Sequence, residues 1–273
     1  MTVPNNRLGS HNLPTLHTML SERDRSILRL VWEHRFVTTR QIQRVLFWQH
    51  ATADAGTRAC NRVLTRLREH RFLHRLDRPI GGVRGGSGAF VWCVGPAGDR
   101  IMRAEPDPAR TKRTRPFEPT PLFLDHTLAV TEARVQFEEV AHRGDLELLD
   151  VETEPATWRT FTAPDGSVQV LKPDLRAVTA AGDYEDHWFI EVDLGTESIP
   201  ALIRKCLTYQ RYKDSGIEQS RLGLFPAVVW LIGDPRRRER LSATIRTDTR
   251  LGTGLFRTFA TALEWLAAPT DGI

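Results

Sequence analysis

Residues 171–193 read LKPDLRAVTAAGDYEDHWFIEVD, and two strands are predicted inside them, Leu171–Val178 and His187–Asp193. Pro173-Asp174 stands near the start of the first. The second runs through the apolar triplet Trp188-Phe189-Ile190 and ends on Glu191-Val192-Asp193. Side chains alternate along a strand, so Glu191 and Asp193 share one side and Val192 faces the other. Carboxylates gathered at the ends of neighbouring strands repel one another unless a positive charge sits among them. A divalent cation is the usual solution, and hard oxygen ligands suit Mg2+ or Mn2+. Such an ion polarises a phosphodiester and activates water. Plainer readings stand beside this one. Asp174 serves as a turn acid selected by Pro173, Thr196-Glu197-Ser198 cap the next helix, and Lys205 is half of a surface ion pair.

Working outward, Leu122–His142 carries His126, Val130, Ala133, Phe137 and Val140 on one stripe and reads as a helix, with His126 read as a buried structural histidine ahead of the alternative that it joins the acidic site. A strand is predicted at Leu146–Thr153. Ser198–Lys213 is helical and places Lys205 and Tyr209, four residues apart, on one face. Phe225–Ile232 reads as a buried strand, and two helices, about 235–246 and 255–267, follow it. The order is αβββαβ with helical additions.

The front of the chain reads differently. Ser21 with Asp24, and Thr38 with Gln41, are helix-start signatures. The first helix buries Ile27, Leu30, Val31 and His34, the second Ile42, Val45 and Leu46. A third helix starts near Asp54, with Cys60, Val63, Leu64 and Leu67 at i, i+3, i+4, i+7. Trp32, Phe36, Phe47 and Trp48 are read as core. Strand-like runs Phe72–Arg78 and Ala89–Val94 flank the turn PIGGVRGGSG at 79–88. Three helices followed by a glycine-tipped hairpin is the order of a winged helix-turn-helix. With one face of helix three buried, Arg58, Asn61, Arg62, Thr65 and Arg66 project from the other. A helix fits the major groove, where arginine pairs with guanine. Arg78 and Arg84 flank the wing, within reach of phosphate or the minor groove. The plainer alternatives are a solvated arginine face and a protein-docking module.

Residues 104–121, AEPDPARTKRTRPFEPTP, hold five prolines and read as a linker between a front domain, 20–103, and a back domain, 122–268; residues 1–19 read as a loose tail. The fold class is therefore α/β (α+β) in two domains. Through residue 120 there are 21 Lys+Arg against 10 Asp+Glu; the remainder has 17 against 24. A basic front suits a polyanion, and an acidic back suits a cation. With 34 Arg and 4 Lys, arginine abundance also follows from a GC-rich genome. Hydrophobic residues at 40% and charged residues at 26% exclude wholesale disorder. No apolar run approaches the roughly 18 residues of a membrane span. Met1–Ser10 is polar and lacks the apolar core of a secretory signal, so a cytoplasmic location is expected. Three cysteines without a CxxC pair exclude a zinc knuckle or disulfide framework, and no GxSxG or GK[ST] is present.

Pro173-Asp174 followed by Glu191-Val192-Asp193, inside αβββαβ, resembles the PD-(D/E)xK nuclease superfamily and its restriction-endonuclease-like fold. The resemblance implies metal ligation by Asp174 and Glu191, with Glu132 as an assisting acid from the first helix. It also marks a departure: Asp193 stands where the superfamily carries a lysine that positions the water and stabilises developing charge. Lys205 is the candidate substitute, so Asp174, Glu191, Asp193 and Lys205 form the candidate catalytic set. Over about residues 20–265, the winged helix, the Pro/Arg linker, LKPDLRAV, FIEVDLGTES, the Lys205–Tyr209 helix and FPAVVWLIG together resemble the replication-relaxation family of actinobacterial and firmicute plasmids and integrative elements. This implies a role in plasmid replication and DNA relaxation. Three functions stay open at this point: a DNA-binding accessory or initiator-like protein, a metal-dependent endonuclease or nickase, and a transcriptional regulator with a degenerate dimerisation domain. Double-stranded DNA is the expected partner of each. A relaxase, a replication protein or a second copy of the chain are further partners these readings imply.

Overall fold

Helix starts in the front half form where capping chemistry demands them. A computed structural model describes residues 13–76, 90–105 and 116–267. Helix α1 (Leu13–Thr18), read from the sequence as part of a tail, buries Leu16. Helix α2 (Glu22–His34) opens on a capping box: the Ser21 hydroxyl accepts the Asp24 N–H at 3.2 Å and the Asp24 carboxylate accepts the Ser21 N–H at 2.8 Å. Strand β1 (Val37–Thr38) leads into α3 (Thr39–Leu46), which repeats the device through Thr38 and Gln41. Helix α4 (Ala53–Glu69) buries Gly56, Cys60, Leu64 and Leu67, the stripe its spacing requires, while Val63 is half-buried. Strands β2 (Leu73–Arg75) and β3 (Val91–Val94) follow, then α5 (Pro96–Met102), a helix beyond those predicted from the sequence. The sheet order β1-β3-β2 is antiparallel throughout. The turn at 79–88, with Arg78 and Arg84, lies outside the described residues. Trp32, His34, Phe36 and Phe47 are buried as expected, but Trp48 is 48% exposed, because α3 ends before it and no core face receives it.

The chain divides into two units, residues 1–131 and 132–273, inside helix α6 (Pro121–Arg143). Up to Thr131 this helix belongs to the first unit, where Leu124 joins Phe36, Leu76, Val91 and Cys93 in one cluster. From Glu132 on it belongs to the second. His126 is half-exposed rather than buried, since Leu124 and Val130 hold the inward positions.

The second unit is a mixed sheet with order β10-β9-β8-β7-β4. Strand β4 (Glu147–Thr153) pairs antiparallel with β7 (Leu175–Ala181), and β7 pairs antiparallel with β8 (Tyr184–Asp193). A hairpin of β5 (Arg159–Thr162) and β6 (Val168–Leu171) is inserted between β4 and β7. It takes Leu171, the first residue of the strand predicted at Leu171–Val178; Pro173, lacking an N–H, separates the two. After β8 come α7 (Ile199–Asp214), capped by Ser198, α8 (Ile217–Leu222) and β9 (Ala227–Ile232), parallel to β8. Then come α9 (Pro235–Thr247), β10 (Phe256–Phe259) and α10 (Ala262–Leu266). The stretch 255–267, expected as one helix, is thus a strand and a short helix. Phe256-Arg257-Thr258-Phe259 carries no helical stripe of its own and is held as a strand by its parallel ladder with β9. Phe189, Val228, Trp230 and Ile232 of the sheet pack with Leu202, Ile203, Cys206 and Tyr209 of α7. No helix among the described residues is long and apolar enough to cross a membrane.

Candidate functional site

Strand β8 is central, so its Glu191 is buried between β7 and β9, at 1% exposure. A carboxylate there requires donors. Helix α7 supplies them from one face: the Lys205 ammonium donates to Glu191 Oε2, and the Tyr209 hydroxyl donates to Oε1 at 2.5 Å. Asp174, at the foot of β7, is buried at 9% exposure and accepts the backbone N–H of Val192 at 2.8 Å. Leu175 pairs with Ile190 across β7 and β8, which sets Asp174 and Glu191 next to one another at the ladder's end. Thr157 fixes the approach, its hydroxyl donating to the Pro173 carbonyl at 2.7 Å.

Two carboxylates thus face one ammonium. Burial pushes the Glu191 carboxyl up to about 8; the Lys205 charge opposes this and the Asp174 charge adds to it. For Lys205, burial pulls the ammonium down, but Glu191 and Asp174 outweigh it and the net direction is upward. Tyr209 is driven well above the ordinary phenol range by burial and by Glu191, so it stays a donor. The Lys205 side chain is 30% exposed and is the cluster's opening to solvent. Two hard carboxylates are the donor kind and number that Mg2+ takes when phosphate oxygens complete its shell. Glu132, half-buried on α6, does not complete a third protein ligand: among the described residues no three His, Cys, Asp or Glu side chains gather as a metal ion needs.

Asp193 has a different occupation. Its carboxylate is held by Arg237 of α9, whose Nη2 lies 2.9 Å from Oδ1, and it also accepts the Gly195 N–H at 3.2 Å. Where the sequence resemblance placed a lysine, the fold places an acid already neutralised by an arginine 44 residues downstream. No local pattern announced Arg237. The signal available was the run Arg236-Arg237-Arg238-Glu239-Arg240 after Pro235.

In the first unit, α4 leaves Arg58, Asn61, Arg62, Thr65 and Arg66 exposed opposite its buried stripe. Arg58, Asn61 and Arg62 line a hollow of about 510 Å³ together with His50, Ala55 and Ala59. Arg58 and Arg62 form no ion pair with any described residue. Arg66 does: its guanidinium lies 2.6 Å from Asp24, the buried acid of the α2 capping box. The cysteine thiols are spent on packing, Cys60, Cys93 and Cys206 each being pushed up to about 12 by burial.

The family model described as replication-relaxation matches residues 28–228. The chain belongs to the replication-relaxation family. The matched stretch begins in α2 and ends in β9, so the family pattern takes in α4, Asp174, Glu191, Lys205 and Tyr209, while Arg237 lies beyond it. Neither the search of curated proteins nor that of solved structures returned a match to this replication-relaxation chain.

Proposed function

We propose that this replication-relaxation protein binds double-stranded DNA through α4 and acts in the replication and relaxation of a plasmid or other mobile element. The observation that carries the reading is the exposed face of α4: Arg58 and Arg62, without an ion pair among the described residues, stand with Asn61 around one hollow, while the opposite stripe is buried. The order of α2, α3, α4 and the β2–β3 strands supports a winged helix-turn-helix, in which the third helix enters the major groove. Arg58→Ala and Arg62→Ala are expected to weaken duplex binding. A lost base contact costs about 1–3 kcal/mol, and a lost phosphate contact lowers the salt slope by about 1. Unchanged affinity in both variants would remove α4 from the interface.

The Glu191 cluster favours a second reading, in which the same protein nicks DNA. Asp174 and Glu191 are the residues to hold Mg2+ or Mn2+, an ion that polarises the phosphodiester and activates water when bound. Lys205 offers an ammonium at the mouth of the cluster, where it neutralises charge developing on a phosphate oxygen. Tyr209 and the Val192 N–H keep the two carboxylates in place. The discriminating measurement is nicking of supercoiled plasmid with either metal, for the wild type and Asp174→Ala side by side. Loss of nicking with retained DNA binding supports the enzyme. Wild-type binding without nicking in either metal sinks it and leaves the accessory role, in which the second unit grips DNA or a relaxase.

A further inference from the structure

Helix α9 begins Pro235-Arg236-Arg237-Arg238-Glu239-Arg240, and the fold sorts these arginines into two kinds. Arg237 is committed to Asp193 and to the Glu197 carbonyl. Arg238 is committed to the Ile232 carbonyl at 3.1 Å. These two, the cap of Asp234 on the Arg237 N–H and the buried Leu241 lock the helix to the end of β8 and β9. Arg236 and Arg240 are left over. They are four residues apart, so they share a helix face. Both are exposed, and neither has an ion pair or side-chain hydrogen bond among the described residues. Further along, the cations are neutralised at home: Arg246 pairs with Glu239, and Arg250 with Asp248. Helix α7 packs against α9, and its Arg204, beside Lys205, is likewise exposed and unpaired among the described residues.

The unpaired charge therefore lies on the stretch of α9 that Arg237 ties to Asp193, two residues past Glu191. We infer that Arg236 and Arg240 of α9, with Arg204 of α7, form a second DNA-backbone surface that seats a phosphate strand beside the Asp174–Glu191–Lys205 cluster. The inference rests on the DNA-binding reading above and adds a contact in the second unit. Charge complementarity selects the occupant. A cluster with two carboxylates and one ammonium does not attract a phosphodiester by itself, and uncommitted arginines on the two packed helices that carry Lys205 and Arg237 supply the missing attraction. Guanidinium groups are also the donors that match phosphate geometry.

The test uses the full chain and a short mixed-sequence duplex, with affinity read by fluorescence anisotropy across a salt series. Arg236→Gln/Arg240→Gln is expected to lower the slope of log K against log salt by about 1.8, two phosphates' worth. Arg236→Lys/Arg240→Lys is expected to restore most of it, since a point charge still contacts phosphate. An unchanged melting temperature shows that the fold is intact, as expected for side chains without partners among the described residues. An unchanged slope in the Gln variant overturns the inference. If Arg58→Ala/Arg62→Ala lowers the slope in the same series, DNA binding through α4 survives that failure. If the wild type binds no duplex at all, both fall.

Discussion

Arg62 and Arg66 stand one turn apart on α4 and carry opposite predictions. Arg66 neutralises Asp24, whose side chain is 1% exposed, while Arg66 itself is 45% exposed. Asp24 keeps the Ser21 N–H and hydroxyl as donors. Arg66→Ala is therefore expected to cost about 1–2 kcal/mol of stability, read as a lowered urea midpoint with unchanged m. Arg62→Ala orphans no partner among the described residues and is expected to leave that midpoint in place. An equal loss in both would mean that the Asp24 pair contributes nothing. Sequence spacing placed both arginines on the exposed face, and rightly. It did not separate them, because Asp24 lies 42 residues away and only the packing of the helices brings it near. Lys205 and Tyr209 were the easier case. Their four-residue spacing fixes a common face whatever the tertiary fold, and Glu191 needed only the strand and helix to pack as expected.

Elements were legible where their stabilisation is local. The capping boxes of α2 and α3 and the apolar stripe of α4 need only neighbours in sequence. Helix α5 is held from outside, and its Gly98 shows how closely. A Cβ at that position would come within 2.3 Å of the Phe72 carbonyl oxygen, so Gly98→Ala is expected to cost about 2–3 kcal/mol. A thermal melt within error of wild type would refute that contact. Helix α8 gives a pH prediction of the same origin. Its Glu218, with a fully buried side chain, accepts from the Tyr212 hydroxyl and pairs with Arg221 and Arg159. Burial pushes this carboxyl up, but the Tyr212 and Arg221 hydrogen bonds and the two guanidinium charges outweigh burial and hold it below its usual range. Its folded value thus lies below that of the unfolded chain. The resulting stability is present above the unfolded value and drains away as pH falls through the folded one. Glu218→Gln is expected to lose about 2–3 kcal/mol at neutral pH and to show a flatter acid limb, measured by denaturation across pH. A parallel limb in both proteins would assign the acid sensitivity elsewhere. Strand β10 and the β5–β6 hairpin were illegible for a related reason. Each gains its ladder from a partner strand, and four-residue runs carry too few periods to announce it.

At the scale of the whole molecule, net charge pointed to a basic front and an acidic back. The sum hid the arrangement that matters: Asp150, Glu152, Asp193 and Glu218 are neutralised by arginines of their own unit, while Arg204, Arg236 and Arg240 have no ion pair among the described residues. Two cationic surfaces on one chain, α4 in the first unit and α9 in the second, make a joint prediction about salt. Counterion release counts phosphates neutralised, so contributions from surfaces engaged on the same DNA add in the slope of log K against log salt. Arg58→Ala/Arg62→Ala and Arg236→Gln/Arg240→Gln share no partner, and the charges they remove lie in different units, so their effects are expected to be independent. The combined four-residue variant is then expected to lose the sum of the two slopes, about 3.6 on a duplex long enough for both. A combined loss no larger than the greater single loss would mean that the two surfaces take DNA in turn. In that case DNA held by α4 would not be the DNA presented to Asp174 and Glu191, and Asp174→Ala would impair nicking of DNA that the first unit never holds.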